Sequence, residues 1–251
     1  GKVMEGRVGT FSSSSIHKLV KSGRGKDAVF SAAGLTYIKE KSYEIRLGQA
    51  LITEQFAVST SWGHVLEPYA YAQIPGDILS LSSRLESKAR RKHPKLLWTG
   101  ASDFETKDTI GDIKSPYTRK SFCEQVDIYS EVEKGNLEAF KNEKPEYYWQ
   151  LVSNSILANK EYAMAVVFLP TKDDVLEILS EDNLAYDAMN EHLSKCKERL
   201  KWLTLEDTPY LNEESEYNPL NYVKFKVPQE DKDFLIQRVE LAEAELRKLL
   251  K

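Results

Sequence analysis

Thr109-Ile110-Gly111-Asp112-Ile113-Lys114 reads as a β-strand, and its alternation decides how the rest of the chain is organised. Successive side chains of a strand point to opposite faces, so Asp112 and Lys114 share one face while Ile113 points into a core. Upstream, Leu96-Leu97-Trp98-Thr99 and the polar stretch Thr106-Lys107-Asp108 predict a β-hairpin that carries Asp103, Asp112 and Lys114 together. Further upstream, Trp62, Leu66, Tyr69 and Ala70 recur at helical spacing between Thr60 and Ala72, which places Glu67 on a helix. Two carboxylates and a cation on neighbouring strands, with a third carboxylate from a helix, form a minimal set for metal-assisted cleavage of a phosphodiester: oxygen ligands for divalent ions, and positive charge near the phosphate.

The same reading extends outward. Ser12-Ser13-Ser14-Ser15 leads into Ile16, Leu19 and Val20, the spacing of a short serine-capped helix. Ser31 to Gln49 predicts a second helix ended near Gly48, with Leu35, Ile38, Tyr43 and Leu47 as its apolar positions. Pro145 to Ala158 predicts a helix, and the apolar run from Tyr162 to Leu169, stopped by Pro170, predicts a buried strand. The C-terminal third predicts a helix from Asn183 to Leu203, a polar loop from Thr204 to Asn221, a short strand from Tyr222 to Val227, and a last helix from Pro228. On that helix Leu235, Val239, Ala242, Leu246 and Leu249 form a stripe that packs either on the same chain or on a second copy. The expected fold class is mixed α/β (α+β): one domain over 1–251, with a core of about 7–170 and a helical extension of about 171–251.

Composition narrows the functions available. The 251 residues, 41% hydrophobic, suffice for one sizeable core. A net charge of −4 argues against a protein that coats nucleic acid through bulk positive charge, but allows an enzyme with a local basic groove. Cys123 and Cys196 are too few for a disulfide framework or for an iron–sulfur site built by this chain alone. No apolar run approaches the roughly 20 residues of a membrane span, and Gly1-Lys2-Val3-Met4-Glu5 has no apolar signal region, so a soluble, cytoplasmic protein without membrane contact is expected.

Glu67 on a helix, Asp103 on one strand and Asp112-Ile113-Lys114 on the next are similar to the PD-(D/E)xK nuclease superfamily, and more closely resemble its lambda-exonuclease-like, or YqaJ-type viral recombinase, family. That family's Trp-Gly-(three residues)-Glu element resembles Trp62-Gly63-His64-Val65-Leu66-Glu67, and its acidic-x-Lys-x-Pro element resembles Asp112-Ile113-Lys114-Ser115-Pro116. The N-terminal Arg-x-Gly-Thr-x-Ser pattern looks like Arg7-Val8-Gly9-Thr10-Phe11-Ser12, and the Tyr-x-x-Gln helix looks like Tyr147-Tyr148-Trp149-Gln150. The resemblance covers about 7–169. It departs at Ser102, where proline is usual, at Ala101, where a serine is frequent, and at Val152, which replaces a second glutamine.

The resemblance implies a restriction-endonuclease-like core, a mixed central sheet flanked by helices, and two Mg²⁺ ions per site, with Mn²⁺ as a substitute. It implies that Asp103, Asp112 and the Ile113 backbone carbonyl bind one ion, that Glu67 holds a second or orders its water shell, and that Lys114 orients the attacking water. Arg7, Ser14, Gln150 and either Arg119 or Lys120 are implied as DNA phosphate contacts, although Arg7 and Ser14 also read as a surface arginine and a helix cap. The implied activity is 5′-to-3′ exonuclease action on linear double-stranded DNA ends in phage or prophage recombination, inside a bacterial host. A single-strand annealing protein and a homotrimer are the implied partners. The alternatives are a PD-(D/E)xK endonuclease of a restriction or repair system, and a non-catalytic DNA-end-binding module. Lys88 to Lys95 is either a duplex-backbone contact or a solvated basic loop. Tyr147, Tyr148 and Trp149 are expected in the core rather than on a base, and His64 is not expected as a ligand.

Overall fold

The computed structural model describes residues 8–51, 57–78, 90–180 and 191–251. Arg7, Lys88 and Ala89, and the first part of the helix expected from Asn183, lie outside the described residues. The main sheet has four strands in the order β4 (Phe104–Glu105), β5 (Thr109–Lys114), β6 (Tyr162–Phe168), β7 (Leu220–Lys226). β5 and β6 run parallel, with Asp112 opposite Ala165 and Lys114 opposite Val167; the two outer pairings are antiparallel. A second, three-stranded sheet has the order β1 (Phe11–Ser12), β3 (Trp98–Gly100), β2 (Arg91–Lys92).

The helices are α1 (Ala32–Leu47), α2 (Val58–Gln73), α3 (Arg119–Glu133), α4 (Leu137–Glu143), α5 (Pro145–Leu157), α6 (Lys172–Ile178), α7 (Glu191–Leu200) and α8 (Gln229–Leu249). They divide between the faces of the main sheet as the strand alternation demands. Ile110, Ala163, Ala165 and Val167 pack with Phe122 and Tyr129 of α3, Tyr148 and Trp149 of α5, and Leu235 and Val239 of α8. Ile113, Met164, Val166 and Phe168 pack on the other side with Trp62 and Leu66 of α2 and Cys196 of α7.

The hairpin exists, but its first strand is β4, and Leu96 to Thr99 belongs instead to the approach and body of β3 in the other sheet. β3 ends at Gly100, a position that only glycine fits, since a side chain there would collide with the Ser13 hydroxyl and the Asn154 amide. The turn between β4 and β5 closes through Thr106 N–H donating to the Thr109 carbonyl (2.8 Å), with the Asp108 carboxylate accepting from the Thr109 hydroxyl (2.8 Å). Gly111 lies opposite Phe104, whose ring covers the glycine so closely that a Cβ would overlap it.

The serine-rich entry is shorter than expected: Ile16–Leu19 is a single 3₁₀ turn, and Ser15 before it makes no side-chain cap. Its serines serve other elements, as Ser13 shares a 2.7 Å hydrogen bond with Ser153 of α5. On α1 the apolar phase differs from the expected one: Tyr37 and Ile38 are buried, whereas Leu35, Tyr43 and Leu47 are exposed. Glu44 takes an inward position there, accepting from the Gly9 and Leu51 N–H groups and from Lys41. The stripe on α8 is settled within the chain, with Leu235, Val239, Ala242 and Leu246 fully buried against α1, α5 and the 3₁₀ turn. Buried Arg238 on the same helix donates to the carbonyls of Leu19, Lys21 and Val29 and pins the loop that leaves the 3₁₀ turn. The stretch expected as a polar loop from Thr204 contains a short 3₁₀ turn, Leu205–Asp207, and joins β7 at Leu220. No helix among the described residues is long and apolar enough to cross a membrane.

Candidate active site

Strand β5 presents Asp112 and Lys114 on the face covered by α3 and α5, as alternation requires. The Lys114 ammonium lies 3.2 Å from the Asp112 carboxylate and donates to the Gln150 side-chain carbonyl of α5 at 3.0 Å. The same ammonium sits 4.8 Å from the ring centre of Tyr147, one helical turn before Gln150, in a cation–π contact. Asp103, immediately before β4, accepts a 2.6 Å hydrogen bond from the Ile113 N–H, which holds its carboxylate beside the strand that carries Asp112.

These neighbours set an unusual electrostatic balance. Burial pushes the Asp112 carboxyl up to about 7; Lys114 opposes the rise, and Asp103 adds to it. Burial alone would lower the Lys114 ammonium, but Asp112 and Asp103 outweigh it and hold the group above its ordinary value. Tyr129 of α3, fully covered and within the field of Asp112, has its phenol pushed well above the ordinary range by burial first and by Asp112 second. Lys114 thus offsets only part of the cost of burying Asp112, and the donor set of two carboxylate groups and a strand carbonyl suits a hard divalent cation. Among the described residues no three His, Cys, Asp or Glu side chains converge tightly enough to enclose an ion by themselves.

The remaining expected residues are distributed around this centre. Glu67 is half-buried on α2, which packs on β5 from the opposite side with Trp62 and Leu66 beside Ile113. Ser14 is exposed in the serine loop, close enough to Ser12 for a 3.3 Å hydroxyl contact, and that loop is tied to α5 one turn beyond Gln150 by the Ser13–Ser153 bond. Arg119 and Lys120 are both exposed at the start of α3, but only Lys120 extends into solvent, its side chain 89% accessible with a 3.9 Å contact to Glu124. Arg119 is held by Tyr210, to whose carbonyl its Nε donates at 3.0 Å and against whose ring it lies. His64 packs edge-on against His192 of α7. Tyr148 and Trp149 are core residues as expected, whereas Tyr147 belongs to the site. Helical periodicity alone separates these three, since Tyr147 and Gln150 share a face that Tyr148 and Trp149 do not.

Neither a family model nor a curated protein sequence matches the chain. Solved structures do. An alkaline exonuclease (LHK-Exo) from Laribacter hongkongensis aligns at a TM-score of 0.59 with 14% identity, over 99% of this chain and 93% of that one. A phage-related exonuclease from Haemophilus somnus 129PT aligns at a TM-score of 0.60 with 18% identity, over 96% of this chain and 95% of that one. The chain has the fold of these exonucleases. A complex of LHK-Exo with dAMP has the same likeness, at a TM-score of 0.58. The alignments run nearly end to end, so the exonuclease fold takes in the C-terminal third as well as the region from Arg7 to Leu169 that carries the motifs.

Proposed function

We propose that the chain is a metal-dependent exonuclease that degrades one strand of linear double-stranded DNA from a 5′ end. The observation that carries this reading is the cluster of Asp103, Asp112, Lys114 and Gln150 on one side of β5, in a fold shared with exonucleases. A surface Asp–Lys pair would be worth little, whereas this one lies beneath α3 and α5.

Asp103, Asp112 and the Ile113 carbonyl would hold a divalent ion, Mg²⁺ or Mn²⁺, with Glu67 ordering its water shell or holding a second ion. When bound, such ions supply a water of lowered pKa and charge stabilisation for attacking and leaving oxygens. Lys114 orients the attacking water and offsets the negative charge that develops on the phosphate. Gln150 fixes the Lys114 ammonium through the 3.0 Å hydrogen bond, and the Tyr147 ring supports it from below. Ile113 N–H fixes Asp103. Arg7, Ser14 and Lys120 would meet DNA phosphates around this centre, and the product would carry a 5′-phosphate. In this reading the enzyme works in a bacterial host cell during phage or prophage recombination, as a homotrimer, and passes its overhang to a single-strand annealing protein.

The test is incubation of the protein with 5′-phosphorylated linear duplex and with closed circular DNA, in Mg²⁺ or EDTA, beside Asp112→Asn. Loss of the linear substrate alone, only with metal and only with the native residue, is the expected result. Nicking of the circle would reassign the protein as an endonuclease, and no cleavage in Mg²⁺ or Mn²⁺ would leave a DNA-end-binding protein.

A further inference from the structure

A cavity of about 300 Å³ opens where α3 begins and the chain leaves β6, lined by Arg119, Phe122, Leu169, Tyr210, Leu211 and Tyr217. From this cavity we infer a subsite that takes one unpaired nucleobase of the DNA strand, an inference that rests on the exonuclease reading above.

Position is the first argument. Leu169 lies two residues beyond Val167, the partner of Lys114 across the parallel pair, so strand geometry puts its Cα roughly 8 Å from that of Lys114. Leu169 and Val167 belong to the core on the face that Asp112 and Lys114 share. The cavity thus sits at the carboxyl ends of the parallel strands, the side of an α/β sheet where ligands gather.

The lining is the second. The exposed ring of Tyr217 is backed edge to face at 5.7 Å by fully buried Phe122, and the exposed Arg119 guanidinium lies 5.1 Å from the Tyr210 ring centre. Aromatic and guanidinium planes are the surfaces on which unpaired bases stack. Glu214 on the wall disfavours a phosphate, and Asn212, also on the wall, carries an amide that can both donate and accept. The volume lies at the small end of ligand pockets, roughly 300–1,000 Å³, and suits one ring system rather than a length of strand.

The wall is built, not incidental. Leu211 N–H donates to the Pro170 carbonyl at 2.9 Å and Leu211 pairs with Thr171, which anchors the 204–219 segment to the exit of β6. Ser215 N–H donates to the Asn212 carbonyl at 3.1 Å, and Tyr217 N–H to the Ser215 hydroxyl at 3.1 Å, folding the tip back over α3. This gives a purpose to a segment whose sequence carries no recognisable motif.

The test uses linear duplex DNA with 2-aminopurine in an unpaired terminal tail, on either strand in separate titrations, with Ca²⁺ replacing Mg²⁺. Wild type is expected to quench the fluorophore on one of the two strands. Tyr217→Ala, at an exposed position, is expected to lose the quench and to bind roughly 5- to 150-fold more weakly, the range of one base–aromatic stack, with its melting temperature measured alongside to score any loss of the contact with Phe122. Tyr217→Phe should keep both properties, Arg119→Gln should weaken both, and an abasic tail should erase the difference between Tyr217→Ala and wild type. An unchanged quench and Kd in Tyr217→Ala, or an equal loss on the abasic tail, overturns the subsite. Cleavage of linear duplex by wild type in Mg²⁺ is scored in parallel: cleavage without a quench rejects the subsite alone, and a quench without cleavage rejects the exonuclease reading alone.

Discussion

Replacing Asp112 by asparagine should stabilise the metal-free protein at alkaline pH while abolishing cleavage. The Asp112 carboxyl rises from 3.8 to about 7 in the fold, chiefly through burial. Its folded value lies above its unfolded value, so the folded chain keeps a proton that the unfolded chain gives up across this window. Stability from this group is therefore fully present below about pH 4, drains away as pH rises, and is lost above about 7. The full rise corresponds to about 4 kcal/mol. That figure is already net of the 3.2 Å ion pair with Lys114, whose attraction holds the rise down, so asparagine recovers the whole of it at pH 8. For a chain of this size the melting temperature in EDTA at pH 8 should rise by about 8–16 °C. At pH 5 the native chain has given up only about 1.6 kcal/mol of this, so the gap between the two proteins should shrink to less than half its size at pH 8, and it should vanish below about pH 4. Mg²⁺ at pH 8 should raise the melting temperature of the native chain and leave that of the variant unmoved. Differential scanning fluorimetry at the two pH values, with EDTA or Mg²⁺, reads all four conditions. An Asp112→Asn difference independent of pH would refute the argument, because it would mean that the carboxylate is not held charged against its surroundings.

Four further outcomes follow from the same geometry. Lys114→Met should reduce cleavage roughly 100- to 1,000-fold while linear DNA is still bound in a gel-shift assay, since the ammonium acts on developing charge. Gln150→Leu should lower kcat about 10-fold with little change in KM, read from initial rates on end-labelled duplex, because it frees the Lys114 ammonium without removing it. Gly111→Ala should cost about 1–3 kcal/mol in urea denaturation, and Phe104→Leu in the same chain should restore part of it by relieving the overlap. Arg238→Met should cost about 3–5 kcal/mol, measured by the shift in urea midpoint, as three carbonyls lose their donor.

The site was legible where its residues obey local rules. Asp112 and Lys114 are two apart on a strand, and Tyr147 and Gln150 are three apart on a helix, so periodicity places each pair on one face before any tertiary contact is known. Asp103 was legible as a hairpin residue, yet its hairpin partner was misassigned, because Leu96 to Thr99 is as strand-like as Phe104-Glu105, and its pairing with β1 and β2 is a long-range choice that no local propensity encodes. The phase of α1 was lost for a related reason. A carboxylate, Glu44, occupies an inward position to satisfy the Gly9 and Leu51 N–H groups, and a hydrophobic pattern cannot register a polar residue recruited inward by distant backbone. Helices α3 and α4 and the wall of the nucleobase cavity had no motif to announce them; they follow from what must cover β6 and β7.

The charge count at the centre also constrains the order of events. Asp103 and Asp112 contribute −2 when ionised and Lys114 contributes +1, so these three groups together carry −1 before metal binds. A phosphodiester, itself −1, is repelled by such a cluster, and burial magnifies the repulsion. One divalent ion reverses the sign to +1, and the phosphate is then attracted. Seating of DNA at this centre should accordingly depend on prior loading of metal, whereas contacts at Ser14 and Lys120, outside the carboxylate cluster, should not. Footprinting of a linear duplex with and without Ca²⁺ distinguishes the two. Protection of the terminal phosphodiester only with Ca²⁺, over a flanking footprint that persists in EDTA, is the expected pattern. Terminal protection of equal strength in EDTA would mean that the cluster is neutralised by protonation or by a cation of the chain itself, and the order of loading would have to be abandoned.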